Sequence, residues 1–152
     1  MRLSRAILLV ASVSATSAVA QTERVVEYQI VNGREIADSM TGTIADSEAG
    51  RALYFERELT GCSGCHGSPS GPGAQPDADQ QNAPSLTGLA SRMSIGTMRL
   101  WLVAPEVLNP DTTMPSFYRV GQRKDPKDPR YGEPLLSAQQ IEDLVAYLGR
   151  QK

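Results

Sequence analysis

The chain has 152 residues, which suits one compact domain with a tail and leaves little room for two. With 15 basic and 17 acidic residues, its formal net charge of −2 excludes a general nucleic-acid binder, which needs an excess of cations. Both of its 2 cysteines and its 1 histidine lie between positions 62 and 66, so neither a dispersed disulfide framework nor a larger Cys/His metal cluster can form.

Residues 1–20 have the pattern of a secretory signal peptide. Arg2 and Arg5 give a basic start, an apolar stretch begins at residues 6–10, and the small residues 18–20 (Ala-Val-Ala) suit a cleavage site. The apolar stretch is too short for a bilayer span. We therefore predict cleavage after Ala20 and export, most simply to a bacterial periplasm, with a retained N-terminal anchor helix as the alternative.

Residues 21–45 form a predicted N-terminal extension. Within it, residues 25–31 alternate weakly between apolar and polar side chains, which predicts a short strand or an extended arm. The pair Asn32-Gly33 then predicts a turn. The extension shows no pattern typical of a core segment, which leaves it available to lie against a partner protein.

Three helices are predicted in the rest of the chain, and the fold class is therefore all-α. The first runs from an N-cap at Asp46 to about Leu59, and the second runs from Ser94 to Val103. The third has the strongest pattern because Ser137 opens a capping box and apolar residues follow at helical spacing, at positions 141, 144, 145 and 148.

Two loops separate these helices, at residues 67–84 and 105–136. The second is long and rich in proline, and a loop of that length is usually functional. It contains a local basic spot that could dock an acidic partner, formed by Arg123, Lys124, Lys127 and Arg130.

The sequence from Cys62 to His66 has the order C-x-x-C-H, which is typical of covalent haem attachment. Two thiols at this spacing can each bond to a vinyl group of one haem, and the adjacent histidine can reach the iron. A thioredoxin-type redox pair needs a βαβ scaffold, a zinc site needs a fourth ligand, and a structural disulfide between Cys62 and Cys65 would be strained. We therefore predict one covalent haem c.

The second axial ligand cannot be a histidine of this chain, because His66 is the only one. We predict Met114, which lies in the long loop beside the stiff Pro115, and we keep Met98 as the alternative. His/Met ligation closes the iron to outside ligands and favours electron transfer, whereas an open sixth position would suit a peroxidase or a sensor.

Four further residues are predicted to support the haem. The backbone carbonyl of Pro84 is a candidate acceptor for the Nδ1–H of His66, with Leu86 packing on the haem edge. Arg92 and Trp101 are candidate donors to the haem propionates, with a surface charge and a core-filling residue as the respective alternatives.

Together these features resemble the class I cytochrome c family. The matching parts are Gly50 with Tyr54-Phe55, the C-x-x-C-H motif, residues 84–88, Met114-Pro115 and a capped last helix with Tyr147. The resemblance covers about residues 46–150 and implies a class I cytochrome c domain over residues 46–152, with long loops. It further implies that the first and last helices cross at Gly50, where Tyr147 packs.

A closer resemblance is to the SoxX family. Residues 109–115, Asn-Pro-Asp-Thr-Thr-Met-Pro, are the most specific element, and residues 28–42 resemble the extension before the haem domain in that family. Further matching stretches are residues 50–52, 86–88, 100–105 and 135–139.

The resemblance to SoxX implies a role in sulfur oxidation. SoxX is the monohaem subunit of the SoxAX complex, an L-cysteine S-thiosulfotransferase that couples thiosulfate oxidatively to a cysteine of the SoxYZ carrier. SoxA holds the catalytic haem, and SoxX accepts electrons and passes them to a downstream cytochrome. The present chain has no cysteine beyond Cys62 and Cys65, so it holds no complete active site. The alternative is a free-standing soluble electron-shuttle cytochrome c.

Overall fold

A computed structural model describes residues 25–70 and 83–152. The predicted signal peptide and most of the loop at residues 67–84 lie outside the described residues. The helices are α1 (Ser47–Phe55), α2 (Cys62–His66), α3 (Ile95–Val103) and α4 (Ala138–Leu148), with short 3-10 turns at Leu89–Ser91 and Pro105–Val107. No strand occurs in the described ranges, and the prediction of an all-α fold is confirmed. None of these helices has the length and apolar character that a membrane crossing requires.

The predicted helix starts agree with the observed caps. Asp46, Ser94 and Ser137 are the N-caps of α1, α3 and α4, and Ser137 forms the capping box. Helix α1 ends earlier than predicted, at Phe55, where the backbone of Glu56 leaves the helical conformation with φ of −76° and ψ of 96°. The Thr60 hydroxyl donates to the carbonyls of Leu53 and Glu56 at this end, at 2.6 and 3.0 Å. The short helix α2 was not predicted at all.

Helices α1 and α4 cross at a point of close backbone approach. Gly50 is buried there, and a Cβ at this position would overlap the backbone carbonyl of Asp143. The rings of Tyr54 and Tyr147 lie beside the crossing, with centroids 5.5 Å apart. The core around the crossing has its most buried aliphatic residues in Leu100, Leu136, Ile141 and Leu144.

The N-terminal extension is part of this core, which corrects the expectation that it has no core role. Ile36 and Met40 are only 2% and 5% exposed. The Ile36 N–H donates to the carbonyl of Gly96 at 3.1 Å, and a Cβ at Gly96 would crowd the side chain of Glu35. The sequence pattern did not indicate these contacts, because the extension is held by backbone and polar groups and has no periodic spacing of apolar residues.

The same extension contains the predicted turn but no strand. Asn32 and Gly33 both have positive φ, 52° and 65°, as a turn of this kind requires. Residues 25–30 have no regular secondary structure, and Val31 forms an isolated antiparallel bridge with Glu35 across the turn. Of the two forms that the sequence allowed, the short strand is therefore not formed in these described residues.

A buried ion pair joins α3, α4 and the extension. Arg99 donates to both carboxylate oxygens of Glu142, at 2.8 and 2.9 Å, and each side chain is only 5% exposed. Arg99 also donates to the Ile36 carbonyl at 2.5 Å, and the Met40 N–H donates to Glu142 at 2.8 Å. Every charge in this cluster therefore has a hydrogen-bonded partner, which burial of an ion pair demands.

The basic spot of the long loop is largely neutralised within the chain. Arg123 pairs with Asp128 at 2.8 Å, and Arg130 pairs with Glu133 at 2.7 Å. In this described stretch, the two exposed lysines Lys124 and Lys127 alone remain outside an ion pair. The loop is therefore a weaker docking surface for an acidic partner than its composition indicated.

Candidate haem site

Helix α2 carries the C-x-x-C-H motif as a single short helix between two glycines. Gly61 precedes it with φ of 63° and Gly67 follows it with φ of 66°, conformations that glycine adopts without strain. Residues three apart lie on one helix face, so Cys62 and Cys65 face the same way. Both are half-buried, and the structure joins them by no disulfide.

The environment of Cys62 favours its neutral thiol. Burial raises the pKa of this thiol, while a hydrogen bond with Thr60 lowers it by a smaller amount. A buried thiol with a raised pKa is a poor redox or metal-binding thiolate. Cys62 therefore keeps its thiol hydrogen, and this hydrogen is transferred to carbon when the thiol adds to a haem vinyl group.

The ring of His66 is oriented by the backbone of the segment that begins at Pro84. Nδ1 of His66 lies 2.8 Å from the Pro84 carbonyl oxygen, the acceptor that the sequence analysis named. A carbonyl can only accept, so the neutral ring carries its proton on Nδ1, and Nε2 is left to bind a metal. Leu86, two residues on, is half-buried and packs against the core.

Arg92 donates hydrogen bonds to the backbone of that same segment. Its Nη2 donates to the carbonyls of Ser85 and Thr87, both at 2.9 Å, and its Nε donates to Gly88 at 3.4 Å. Most of the guanidinium is thus occupied by backbone. Binding of a haem propionate by Arg92 stays a prediction, and Nη1 is the group left for it.

Trp101 is half-buried on α3, and its indole N–H has no hydrogen bond to the described residues. A buried or half-buried indole N–H usually finds an acceptor. Donation from Trp101 to a propionate therefore also stays a prediction.

The two candidate methionine ligands have different surroundings. Met98 is 2% exposed and lies within the apolar core on α3. Met114 is half-buried in the long loop, where its N–H donates to the Thr112 hydroxyl at 3.1 Å. The next residue but one, Ser116, ties this loop to α3 by donating to the Val103 carbonyl at 2.5 Å.

The donor set fits a haem c. Two thiols on one helix face can hold the vinyl edge, and an oriented His66 presents Nε2 to the iron. Within the described ranges no group of three or more His, Cys, Asp or Glu could hold a bare metal ion. Covalent attachment through Cys62 and Cys65 is thus the cofactor chemistry that these residues support.

The sequence analysis did not identify the buried polar contacts of three residues. The Tyr54 hydroxyl donates to the Gly67 carbonyl at 2.8 Å, directly after the motif. Arg99 and Glu142 form the buried ion pair described above. The available signal was a charge between apolar neighbours on a helix face, as in Met98-Arg99-Leu100.

The sequence profile described as Cytochrome c matches residues 47–152. The chain belongs to the cytochrome c family. Among solved structures, this cytochrome is similar to a chain in the crystal structure of SoxXA from P. pantotrophus, with 32% sequence identity and a TM-score of 0.64. The match covers 83% of this chain and 95% of that one. No curated protein sequence matches it significantly.

These similarities make the chain a SoxX-type, electron-transferring cytochrome. Membership of the family implies a covalent haem c, in agreement with the thiols and histidine of α2. The prediction of a cytochrome c fold is confirmed, and so is the resemblance to SoxX.

Proposed function

We propose that this cytochrome is the electron-accepting subunit of a SoxAX-like complex in the periplasm. In this proposal one haem c is held by Cys62 and Cys65, with His66 and Met114 as axial ligands. A SoxA-like cytochrome is the partner in a heterodimer, and a SoxYZ-type carrier binds transiently. The similarity to a SoxXA chain over 95% of that chain's length is the observation that carries the proposal.

The reaction explains why a separate electron acceptor is needed. Joining thiosulfate to a carrier thiol forms one S–S bond, releases the thiol proton and leaves two electrons. A haem c held by Cys62 and Cys65 would supply one-electron chemistry, so the two electrons would pass singly to a downstream cytochrome. His66 and Met114 would bind the iron of that haem and so keep other ligands away from it.

The partner is tested by mixing the purified holoprotein with a SoxA-like cytochrome, a SoxYZ-type carrier and thiosulfate. We expect a stoichiometric heterodimer by gel filtration and reduction of this haem that requires all three additions. A carrier whose cysteine is replaced by serine is the control. Reduction of the haem without the SoxA-like protein, or no heterodimer at micromolar concentration, would contradict the proposal.

The axial ligand is tested with Met114→Ala, compared with the core variant Met98→Leu. We expect the first to lose the thioether–iron charge-transfer band at the red edge of the ferric spectrum and to lower the reduction potential. The second keeps the band, because Met98 lies in the apolar core. Loss of the band in Met98→Leu alone would instead assign Met98 as the ligand.

A free-standing electron shuttle is the second candidate, and two observations favour it. The extension folds onto its own domain through Ile36 and Met40, so it needs no partner for burial. The basic spot is mostly paired internally, through Arg123 and Arg130. The absence of a heterodimer in the mixing experiment, with the haem otherwise intact, would select this candidate.

A further inference from the structure

Tyr54 places a polar group where helix packing alone needs none. Its side chain is 1% exposed. Its ring packs edge-on against Phe55, with centroids 5.1 Å apart, and at a tilt against Tyr147, with centroids 5.5 Å apart. A phenylalanine would fill the same space. The hydroxyl nevertheless sits inside the protein, where it donates to the Gly67 carbonyl at 2.8 Å.

Gly67 is the first residue after His66, and its backbone is fixed on both sides. Its φ of 66° and ψ of −157° lie in a region that glycine alone enters readily. Its N–H donates to the Ser63 carbonyl at 3.0 Å and ends α2, while its carbonyl accepts from Tyr54. The hydroxyl therefore fixes the direction in which the chain leaves the histidine.

We infer that Tyr54 is a positioning residue for the proximal haem ligand, because its hydroxyl holds the peptide that follows His66. The ring of His66 is held separately, by the Pro84 carbonyl at 2.8 Å from Nδ1. Tyr54 thus steadies the backbone end of the same residue. The inference rests on the proposed function only in so far as His66 binds the iron.

Burial keeps Tyr54 in the state that this role requires. It raises the pKa of the phenol far above its ordinary value of 10.0, so the hydroxyl stays a donor over the working pH range. A donor aimed at a buried carbonyl is costly to remove, because the acceptor is left without a partner. The turn at Gly67 should then loosen without any change in the aromatic packing.

The test is the reduction potential of the holoprotein carrying Tyr54→Phe. A looser turn weakens the Nδ1–H···O bond from His66 to Pro84, which makes the imidazole less basic and the ferric state less favoured. We expect roughly a threefold change in the ferric-to-ferrous ratio at a fixed potential, an upward shift of about 28 mV at 59 mV per tenfold.

The matched control is Tyr147→Phe. It removes a hydroxyl from the same aromatic cluster, but the Gly67 carbonyl accepts from Tyr54 and not from Tyr147. We expect no shift of the potential in this variant, even if both variants lose stability equally. Equal shifts in the two variants, or none in either, would overturn the inference.

Amide hydrogen exchange gives a second readout that does not depend on redox activity. The Gly67 amide, which closes α2 onto Ser63, should exchange faster in Tyr54→Phe and at the wild-type rate in Tyr147→Phe. Unchanged exchange in Tyr54→Phe would also overturn the inference. Failure of the heterodimer or of Met114 ligation would appear in the experiments above and would leave these two comparisons unaffected.

Discussion

Two segments pack against the α3–α4 pair, and they are held by contacts of different kinds. Helix α1 meets α4 through shape, since Gly50 lets the two backbones touch and aromatic rings fill the space beside them. The extension meets α3 through polar groups, which converge on the buried pair of Arg99 and Glu142. Burial stabilises the first contact directly, whereas the second is stable only while every polar group keeps its partner.

The difference determines how each segment fails. A shape contact loses stability when volume is added or removed, and chemical identity matters less. A buried polar cluster fails when a single member is removed, because the remaining charge has no solvent and no partner. The extension should therefore be the more fragile of the two segments.

The largest effect is expected when the polar contact is broken. Glu142→Gln leaves Arg99 buried without a counter-charge, and loss of one partner of a buried pair costs about 3–5 kcal/mol. Denaturant unfolding should show this as a lower midpoint. Limited proteolysis should show earlier cleavage within residues 25–46, since Met40 donates to the same carboxylate.

The matched control for that variant is Glu106→Gln. Glu106 pairs with Arg119 at the surface, where both side chains are exposed. Exposed pairs contribute only about 0–1 kcal/mol, so the midpoint should barely move. Similar losses of stability in Glu142→Gln and Glu106→Gln would mean that the Arg99–Glu142 pair does not hold the extension.

The shape contact is broken by Gly50→Ala. The added Cβ would overlap the Asp143 carbonyl, which belongs to the backbone and cannot rotate away. Overpacking costs about 1–3 kcal/mol, and a rigid neighbour places this variant at the upper end. A denaturation midpoint equal to that of the wild type would show that α1 and α4 are not in close contact.

The same contrast explains which parts of the fold the sequence could predict. Helix α4 followed from apolar spacing and the capping box at Ser137, and the crossing followed from Gly50 and Tyr147 in the family pattern. The haem motif followed from thiol and imidazole order alone. The signals for α4 and for the haem motif are local or periodic and can be read along the chain, whereas the crossing came from the family resemblance.

The parts that were missed depend on contacts between distant positions. Arg99 and Glu142 are 43 residues apart, and Met40 lies 102 residues from Glu142. Tyrosine at position 54 has a role that phenylalanine could not fill only because its hydroxyl meets the Gly67 carbonyl, and the spacing of residues in the sequence does not reveal that acceptor. Composition also did not show that Arg123 and Arg130 of the basic spot lie beside Asp128 and Glu133, while docking of an acidic partner stays a prediction.

The smallest expected effect concerns polar contacts near the surface, those of Asp128 in the long loop, which can be compared with the buried cluster. The Arg130 N–H and then the Arg123 guanidinium hold the pKa of Asp128 below its ordinary value of 3.8. The charged carboxylate therefore stabilises the loop above that pH, and this contribution is lost as the pH falls through the lowered pKa. The protection factors of residues 121–135, which correct for the intrinsic pH dependence of amide exchange, should fall below pH 3.8 and in raised salt.

Asp128→Asn separates this loop from the buried cluster. The variant should show faster exchange in residues 121–135 already at neutral pH, with no further step on acidification, while residues 25–46 keep wild-type protection. Asp111→Asn, an exposed carboxylate elsewhere in the same long loop, should change neither region. If Asp128→Asn also released the extension, the loop and the Arg99–Glu142 cluster would form one cooperative unit. We distinguish the two regions by how far their polar groups are shielded from water, and not by their number of hydrogen bonds. That distinction would then be wrong.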